Sequence, residues 1–417
     1  MSDAPDMDRR MPNLRHLRAF RAVAGAGSLS AAAPRVYLSQ PAISQAITKL
    51  ESLVGSQLFE RHSGGMVATP SGQLLLDRAE RALGYIRNGV REALRVGGAK
   101  AAERAANLDE LLSTTQLRAL VAVSAARSFS MAARTASVSQ PSLHRAAREL
   151  ESVLDLTLFQ RTPRGVNLTR AGTTLSRYTK LAFAEIEQGF TEVAQIQGLE
   201  TGRILVGTMP LARTLILPTA INAIAAERPE VRVGVIDGPY TDLIRGLRHG
   251  ELDLLIGALR IPPPFGDIAQ EALFDDPLAV VARADHPLAG QAEVAPPELM
   301  AYPWVVPRRG TPTRAHFDRL LTHAGAGTPP GLVESSSLSL IRGLLLGSDR
   351  LTLISRRQIH YERRLGLLAP LPVDMARLGR PIGRPIGLTC RRDWRPTPTQ
   401  RRFLETIRKV SGSVAGE

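Results

Sequence analysis

Two short runs carry side chains suited to reading a polyanion. Ser39-Gln40-Pro41 is followed by Ser44, Gln45 and Lys49; one hundred residues later Ser139-Gln140-Pro141 is followed by His144, Arg145 and Arg148. Serine before Gln-Pro marks a helix start, because its hydroxyl accepts from a free backbone N–H and proline is tolerated in the first turn. Behind each start the apolar residues share one face, Ile43, Ile47 and Leu50 in the first run and Leu143, Ala147 and Leu150 in the second. The opposite face is left with amide, hydroxyl, imidazole and cationic groups. Their chemistry is hydrogen bonding to base edges and phosphates, Gln tending to adenine and Arg to guanine.

Both runs sit inside a duplication. Shifted by 100 residues, the chain matches itself at 24 of the 59 positions from Leu17 to Leu75. Leu17, Phe20 and Val23 recur at helical spacing, as do Leu117, Leu120 and Val123. Ser28 and Ser128 suit the caps of a second, short helix, with Ala32, Ala33, Ala132 and Ala133 small enough for close packing. Two short helices joined by a tight turn, the second capped by Ser and polar outside, describe a helix-turn-helix. A small structural three-helix unit with solvated faces also fits this pattern, and charge moves the balance. Residues 13–95 hold 11 bases against 5 acids and residues 113–180 hold 10 against 3, as phosphate binding requires. Gly65, Thr69, Gly165 and Thr169 fall where a basic hairpin wing would follow, with Arg161 and Arg164 flanking the second.

Composition bounds the rest. A chain of 417 residues, 44% hydrophobic and 22% charged, predicts two to three globular domains. The net charge of +14 favours polyanionic partners, although bases that are nearly all Arg also reflect coding bias. One cysteine, Cys390, excludes an internal disulfide and a cysteine metal site. The N-terminal stretch lacks the apolar core of a secretory signal and no run is long enough for a membrane span, so the expected location is cytoplasmic, with no membrane partner. His249, His286, His316, His323 and His360 lack metal-site spacing, and GxSxG and GxxxxGK[ST] are absent. Asp275 and Asp276, adjacent on a strand, would face opposite ways. No catalytic residue, metal or cofactor is expected.

The run AAxxxxxSQPxxxxxxxxLE…LFxR…T…G, present twice, resembles the N-terminal DNA-binding domain of LysR-type transcriptional regulators. The resemblance implies two winged helix-turn-helix heads whose recognition helices, Ser39–Ser52 and Ser139–Ser152, enter the major groove of double-stranded DNA. It sets Ser39, Gln40, Pro41, Ser44, Gln45 and Lys49 against DNA, with Ser139, Gln140, Pro141, His144, Arg145 and Arg148 in the second copy. Departures are plain. Typical members carry one head; Pro34 should remove a hydrogen bond late in its helix; Val36 and Ala136 stand where a larger Leu is usual. Two working heads, and one head retained only for packing, both remain open.

Residues 73–95 read as a helix, 96–107 as a small-residue joint, and 171–198 as a longer helix with Leu175, Leu181, Ile186, Phe190, Val193 and Ile196 apolar. A core helix and a coiled-coil seam both explain that spacing; the resemblance implies a dimerising linker helix, hence a homodimer or homotetramer. From Gly202 strands alternate with helices, which predicts an α/β fold with a mostly parallel sheet. This half resembles the bilobal effector-binding domain of the same family, related to type 2 periplasmic binding proteins. The expected fold is therefore α/β plus all-α: winged heads at 13–72 and 113–172, a helix and linker at 73–112, a linker helix at 173–200, and an effector domain at 201–412. Its lobes would be 201–275 with 373–412, and 276–372.

Ligands in such sheets sit at strand carboxyl ends and helix N-termini. Arg213, Thr214, Arg308, Thr311 and Thr313 are the candidate contacts for a small polar or anionic effector, an ordinary capped helix with solvated arginines being the alternative. Leu211 stands where family members often place a hydroxyl. IDGPY, LIGALR and LAVVARADHPL resemble members that regulate galactose-binding protein and sugar uptake, which implies a sugar-related effector. The whole is expected to be an effector-responsive DNA-binding regulator. A cytoplasmic solute-binding protein or an architectural DNA binder would each explain only one half.

Overall fold

The structure, a computed structural model, describes residues 11–98, 107–163, 165–199, 202–325, 327–374 and 383–415. Most of the expected joint at 96–107 and Arg164 lie outside the described residues. The chain forms two compact units, residues 1–202 with 248–251, and residues 203–247 with 252–417.

In the first unit the duplication is read twice by the same rules. The first copy runs α1 (Leu14–Ala26), α2 (Leu29–Val36), α3 (Gln40–Val54), β1 (Phe59–His62), β2 (Gly65–Ala68) and α4 (Pro70–Val96). After the short α5 (Leu108–Leu111), the second copy runs α6 (Thr114–Ala126), α7 (Phe129–Thr135), α8 (Gln140–Leu154), β3 (Phe159–Thr162), β4 (Gly165–Leu168) and α9 (Arg170–Ile196). Ser28, Ser39, Ser128 and Ser139 each accept a backbone N–H at their helix start. Helix α2 continues through Pro34 and ends on Tyr37 at φ 51°, so the missing amide does not break it. Gly65 has φ 131°, and a side chain there would meet the Gly27 carbonyl at 2.4 Å; Gly165 has φ 121° against the Arg127 carbonyl at 2.5 Å. At both sites the hairpin hooks onto the end of the first helix, through Met66 N–H to Gly27 O and Val166 N–H to Arg127 O.

Helices α4 and α9 lie antiparallel along each other, Leu75 beside Gly189 and Leu175 beside Gly89. One apolar core spans both copies, from Leu14, Phe20 and Ile43 through Leu83, Ile86 and Val90 to Leu150, Leu175 and Ile186. Of the apolar face expected on residues 171–198, Leu175, Ile186, Phe190 and Val193 thus join a core within the same chain, while Ile196 is exposed.

The second unit contains β5 (Gly202–Thr208), α10 (Ile216–Glu227), β6 (Val231–Asp237), α11 (Tyr240–Arg248), β7 (Leu254–Ala258), β8 (Ile268–Arg283), α12 (Pro296–Leu299), β9 (Trp304–Val306), α13 (Pro312–Ala324), β10 (Val333–Glu334), α14 (Leu338–Leu346), β11 (Leu351–Ser355), α15 (His360–Arg364), β12 (Leu368–Pro370), β13 (Gly383–Arg391) and α16 (Pro398–Ala415). Among the described residues the strands form one sheet in the order β10-β9-β11-β8-β13-β7-β5-β6, with β12 beside β8. The mostly parallel expectation needs correction. Strands β8 and β13 run antiparallel to each other and to β11 and β7, respectively. Only nine residues, 259–267, join β7 to β8, too few for the crossover that a parallel return requires. The first part of β8 pairs with β13 and its last part with β11 and β12. It therefore crosses between a core around Ile204, Val206, Ile256 and Phe403 and another around Val280, Trp304, Phe317 and Leu353.

Candidate nucleic-acid interface and effector cleft

In the first head Ile43, Ala46, Ile47 and Leu50 turn inward, which leaves Ser39, Gln40, Pro41, Gln45 and Lys49 exposed and Ser44 half-buried. In the second head Leu143, Ala146, Ala147 and Leu150 turn inward, and Ser139, Gln140, Pro141, Arg145 and Arg148 are exposed. Every nucleic-acid residue expected from sequence thus lies on the outer face or N-terminal turn of α3 or α8. The Leu-Glu motif has a structural reason. Glu51 accepts the Leu58 N–H at 2.9 Å, and Glu151 accepts those of Leu158 and Phe159 at 2.7 and 3.1 Å, tying each recognition helix to its wing. Arg61 and Arg161 are exposed on those wings.

The heads differ between helix and wing. Ser44, Thr48, Phe59, Arg61 and Met66 line an open cleft of about 420 Å³ in the first. The corresponding space in the second is about 20 Å³. There His144 lies against Phe129, ring centroids 4.6 Å apart, and Arg148 bonds Glu151 at 3.0 Å. Small Ser44 and Thr48 occupy these positions in the first head, Thr48 bonding back to the Ser44 carbonyl.

Sequence reasoning missed a buried charge cluster where α4 meets α9. Arg78 is 4% exposed. Its guanidinium donates to Glu185 at 2.8 Å, to Gln188 at 2.9 Å and to both Glu192 oxygens at 2.7 and 2.9 Å. Arg81 adds a bond to Glu185 at 2.9 Å. Burial opposes the Arg78 charge, yet its hydrogen bonds to Glu192 and Glu185 hold its pKa above the usual arginine value. A hydrophobic-periodicity reading passes over such residues as a solvated face.

In the second unit the expected effector contacts do not form one cluster. Arg213 is exposed and pairs with Asp237 at 2.8 Å, and the Thr214 N–H closes a turn onto Leu211. Arg308 is exposed, while Thr311 caps α13, accepting from Arg314 N–H at 3.2 Å and donating to the Arg308 carbonyl at 3.0 Å. Leu211 packs with Ala258 and Ile386. Thr313 is buried, and its hydroxyl accepts from Arg384 at 2.9 Å.

That bond leads to a constellation assembled from four segments. Asp276, fully buried where β8 changes partners, accepts from Ser355 at 2.6 Å, Arg357 at 3.4 Å and Arg384 at 3.4 Å. Arg384 also reaches Gln358 at 3.2 Å. Burial pushes the Asp276 carboxyl up against the pull of Arg384 and Ser355, and burial lowers the Arg384 pKa. Asp275, its neighbour on β8, is exposed. Alternation on a strand separates the two carboxylates, but no sequence signal shows that Ser355, Arg357 and Arg384, 79 to 108 residues away, converge on one of them.

No group of three or more His, Cys, Asp or Glu among the described residues is arranged to hold a metal. No described helix is long and apolar enough to cross a membrane.

Comparison with known proteins agrees with both halves. Residues 14–73 and again 114–173 match the bacterial regulatory helix-turn-helix protein, lysR family, and residues 197–412 match the LysR substrate binding domain. The HTH-type transcriptional regulator GalR of Pseudomonas putida is 35% identical over 90% of this chain and 93% of its own length. PcaQ of Agrobacterium fabrum is 29% identical over 74% of this chain and 97% of its own. In fold, a full-length OxyR variant from Pseudomonas aeruginosa aligns with TM-score 0.50 at 24% identity, covering 71% of this chain and 93% of its own. Full-length CbnR in complex with its target DNA aligns with TM-score 0.50 at 19% identity, covering 71% and 98%. Two lysR-type helix-turn-helix segments and one effector-binding domain make this chain a member of the LysR family of DNA-binding transcriptional regulators.

Proposed function

We propose that the exposed faces of α3 and α8 read the major groove of double-stranded DNA and that a small anionic effector in the second unit controls transcription. One observation carries the DNA reading. Two Ser-capped helices, held by the same carboxylate and glycine anchors, present Gln45 and Arg145 at matching positions with no protein partner among the described residues. Ser39, Gln40, Pro41, Ser44 and Lys49 join Gln45, and Ser139, Gln140, Pro141, His144 and Arg148 join Arg145. Arg61 and Arg161 on the wings suit backbone phosphates. On this reading the chain divides at the domain boundaries given from the sequence, acts in the cytoplasm and assembles as a homodimer or homotetramer.

For the effector, the Asp276–Arg384 constellation supports a carboxylate or similarly anionic ligand. Arg384 and Arg357 converge there with hydroxyls of Thr313 and Ser355, and Arg213, Thr214, Arg308 and Thr311 stay candidate contacts on other loops. An anion would compete with Asp276 for both guanidinium groups, which gives ligand and empty states different internal contacts. These side chains select for charge and leave the carbon skeleton open.

The test is a footprint on the DNA upstream of the protein's own coding sequence, with Gln45→Ala and Arg145→Ala beside the parent. Loss of protection over a different stretch with each variant is expected; full protection by both would remove α3 and α8 as the readers. For the effector arm, benzoate, succinate and gluconate are tested for a change in that footprint. Arg384→Met should abolish any change that the parent shows.

A further inference from the structure

The contacts between α4 and α9 are reciprocal. A methyl group at Gly89 would lie 2.6 Å from Tyr178 Cβ and 3.4 Å from Leu175 Cδ1; one at Gly189 would lie 3.0 Å from Arg78 Cβ and 3.3 Å from Leu75 Cδ1. Positions 75, 78 and 89 of one copy therefore exchange with 175, 178 and 189 of the other, as a local two-fold axis demands. Leu14 N–H donates to Thr114 Oγ1 at 2.9 Å, so equivalent positions meet each other, as they must beside that axis. Each long helix ends on the other copy's head: Gln197 donates to the Gly55 carbonyl at 2.7 Å, and a Cβ at Gly97 would meet Leu156 at 2.6 Å.

The side chains along the seam are not interchangeable. Glu185, Gln188 and Glu192 all serve Arg78, whereas the first copy has Tyr85, Asn88 and Glu92 at those positions and the second copy has Tyr178 in place of Arg78. Two α9 helices would bury Glu185 and Glu192 against tyrosine, whereas two α4 helices would keep Glu92 for Arg78 but set Tyr85 and Asn88 where Glu185 and Gln188 now serve it. Uncompensated buried carboxylates penalise the α9 pair, and the α4 pair forgoes the bonds to Glu185 and Gln188, which leaves the mixed pair favoured.

We propose that a single chain is a complete two-headed DNA reader whose operator has two unlike half-sites. A two-fold axis sets both recognition helices at one height along it. The 27-residue helices α4 and α9 span ~40 Å, comparable to the ~34–36 Å of one duplex turn. One half-site meets Ser44 and Gln45, the other His144 and Arg145. This rests on the reading of α3 and α8 as DNA-reading helices.

Full-length protein carrying Cys390→Ser together with Tyr85→Cys and Tyr178→Cys, whose parent rings lie 6.5 Å apart, is treated with a short bis-maleimide beside Cys390→Ser controls that carry only one of the two new cysteines. A second pair, Ser56→Cys with Gln197→Cys, tests the same topology at the surface should the first pair fold poorly. The expected product is one chain linked to itself, binding the DNA upstream of its own coding sequence within about threefold of the unlinked protein. A covalent dimer as the main product overturns the proposal by showing that heads pair between chains. So does a self-linked chain that loses tenfold or more in affinity while the unlinked protein still binds. Self-linking in a protein that binds no such DNA, linked or unlinked, instead removes the DNA reading and this proposal with it, leaving only the helix pair.

Discussion

Head one and head two share a scaffold and differ where they meet a ligand or each other. The shared parts have a geometric cause: Gly72 and Gly172 approach the Leu58 and Leu158 carbonyls so closely that a Cβ would stand 2.1 and 2.3 Å away. Thr69 and Thr169 cap the following helices, and Glu51 and Glu151 fasten the wings. By contrast, Ser44-Gln45 in the first copy corresponds to His144-Arg145 in the second, Thr48 to Arg148, and Arg78 to Tyr178. Duplication preserved what the backbone requires and released the positions that choose a partner. The two heads thus behave as a hetero-pair built into one chain.

The strongest way to break that pair is Arg78→Ala. It leaves Glu185 and Glu192 buried without their cation, and removing one partner of a buried pair costs about 3–5 kcal/mol. Tyr178→Phe at the equivalent position removes no recorded ion pair and should stay within about 0.5 kcal/mol. Denaturant unfolding of the two variants measures the contrast; equal losses would mean the seam is not polarised as described.

On the DNA side, Arg145→Ala should weaken binding by about 1–3 kcal/mol and relax one half-site at a guanine. Gln45→Ala should fall toward the lower end of that range and relax the other half-site at an adenine. Titration against duplexes mutated one half-site at a time distinguishes them. A smaller effect is expected from His144→Ser, which takes the ring off Phe129 and opens the second head toward the shape of the first. Loss of the ring pair costs about 0.5–1.5 kcal/mol, read as a drop in unfolding free energy with the fold intact.

Legibility in the sequence followed the range of the interaction. Helix starts at Ser39 and Ser139 depend on atoms three residues away, so spacing alone revealed them. The motif Leu50-Glu51 was visible too, although its purpose, a bond seven residues on, was not. Long-range pairings were hidden: Arg78 with Glu192 spans 114 positions and Asp276 with Arg384 spans 108. Strand direction failed for a related reason, since nothing local to β8 or β13 says that each runs against its neighbours. The effector residues suffered most. Loop residues such as Arg308 and Thr311 carry recognisable ligand chemistry, while the buried convergence on Asp276 comes from segments that are individually ordinary.

The finest comparison concerns the two glycines at the seam. Replacing a mid-helix glycine by alanine gains up to about 1 kcal/mol in helix propensity, so the sign of each variant depends on the space its methyl group finds. At position 89 the new carbon would sit 2.6 Å from Tyr178 Cβ, an atom fixed by the α9 backbone, with the ring carbon at 3.2 Å. Helix separation must grow to relieve that, and overpacking of this kind costs about 1–3 kcal/mol. At position 189 the nearest atoms are Arg78 Cβ at 3.0 Å and Cγ at 3.2 Å, which need to yield only a few tenths of an ångström. Gly89→Ala should therefore be the more destabilising, by about 1 kcal/mol, in paired unfolding curves. The reverse order would mean that the Arg78 cluster, with its several hydrogen bonds, yields less than the tyrosine does, and that the charged side of the pair is also its stiffer side.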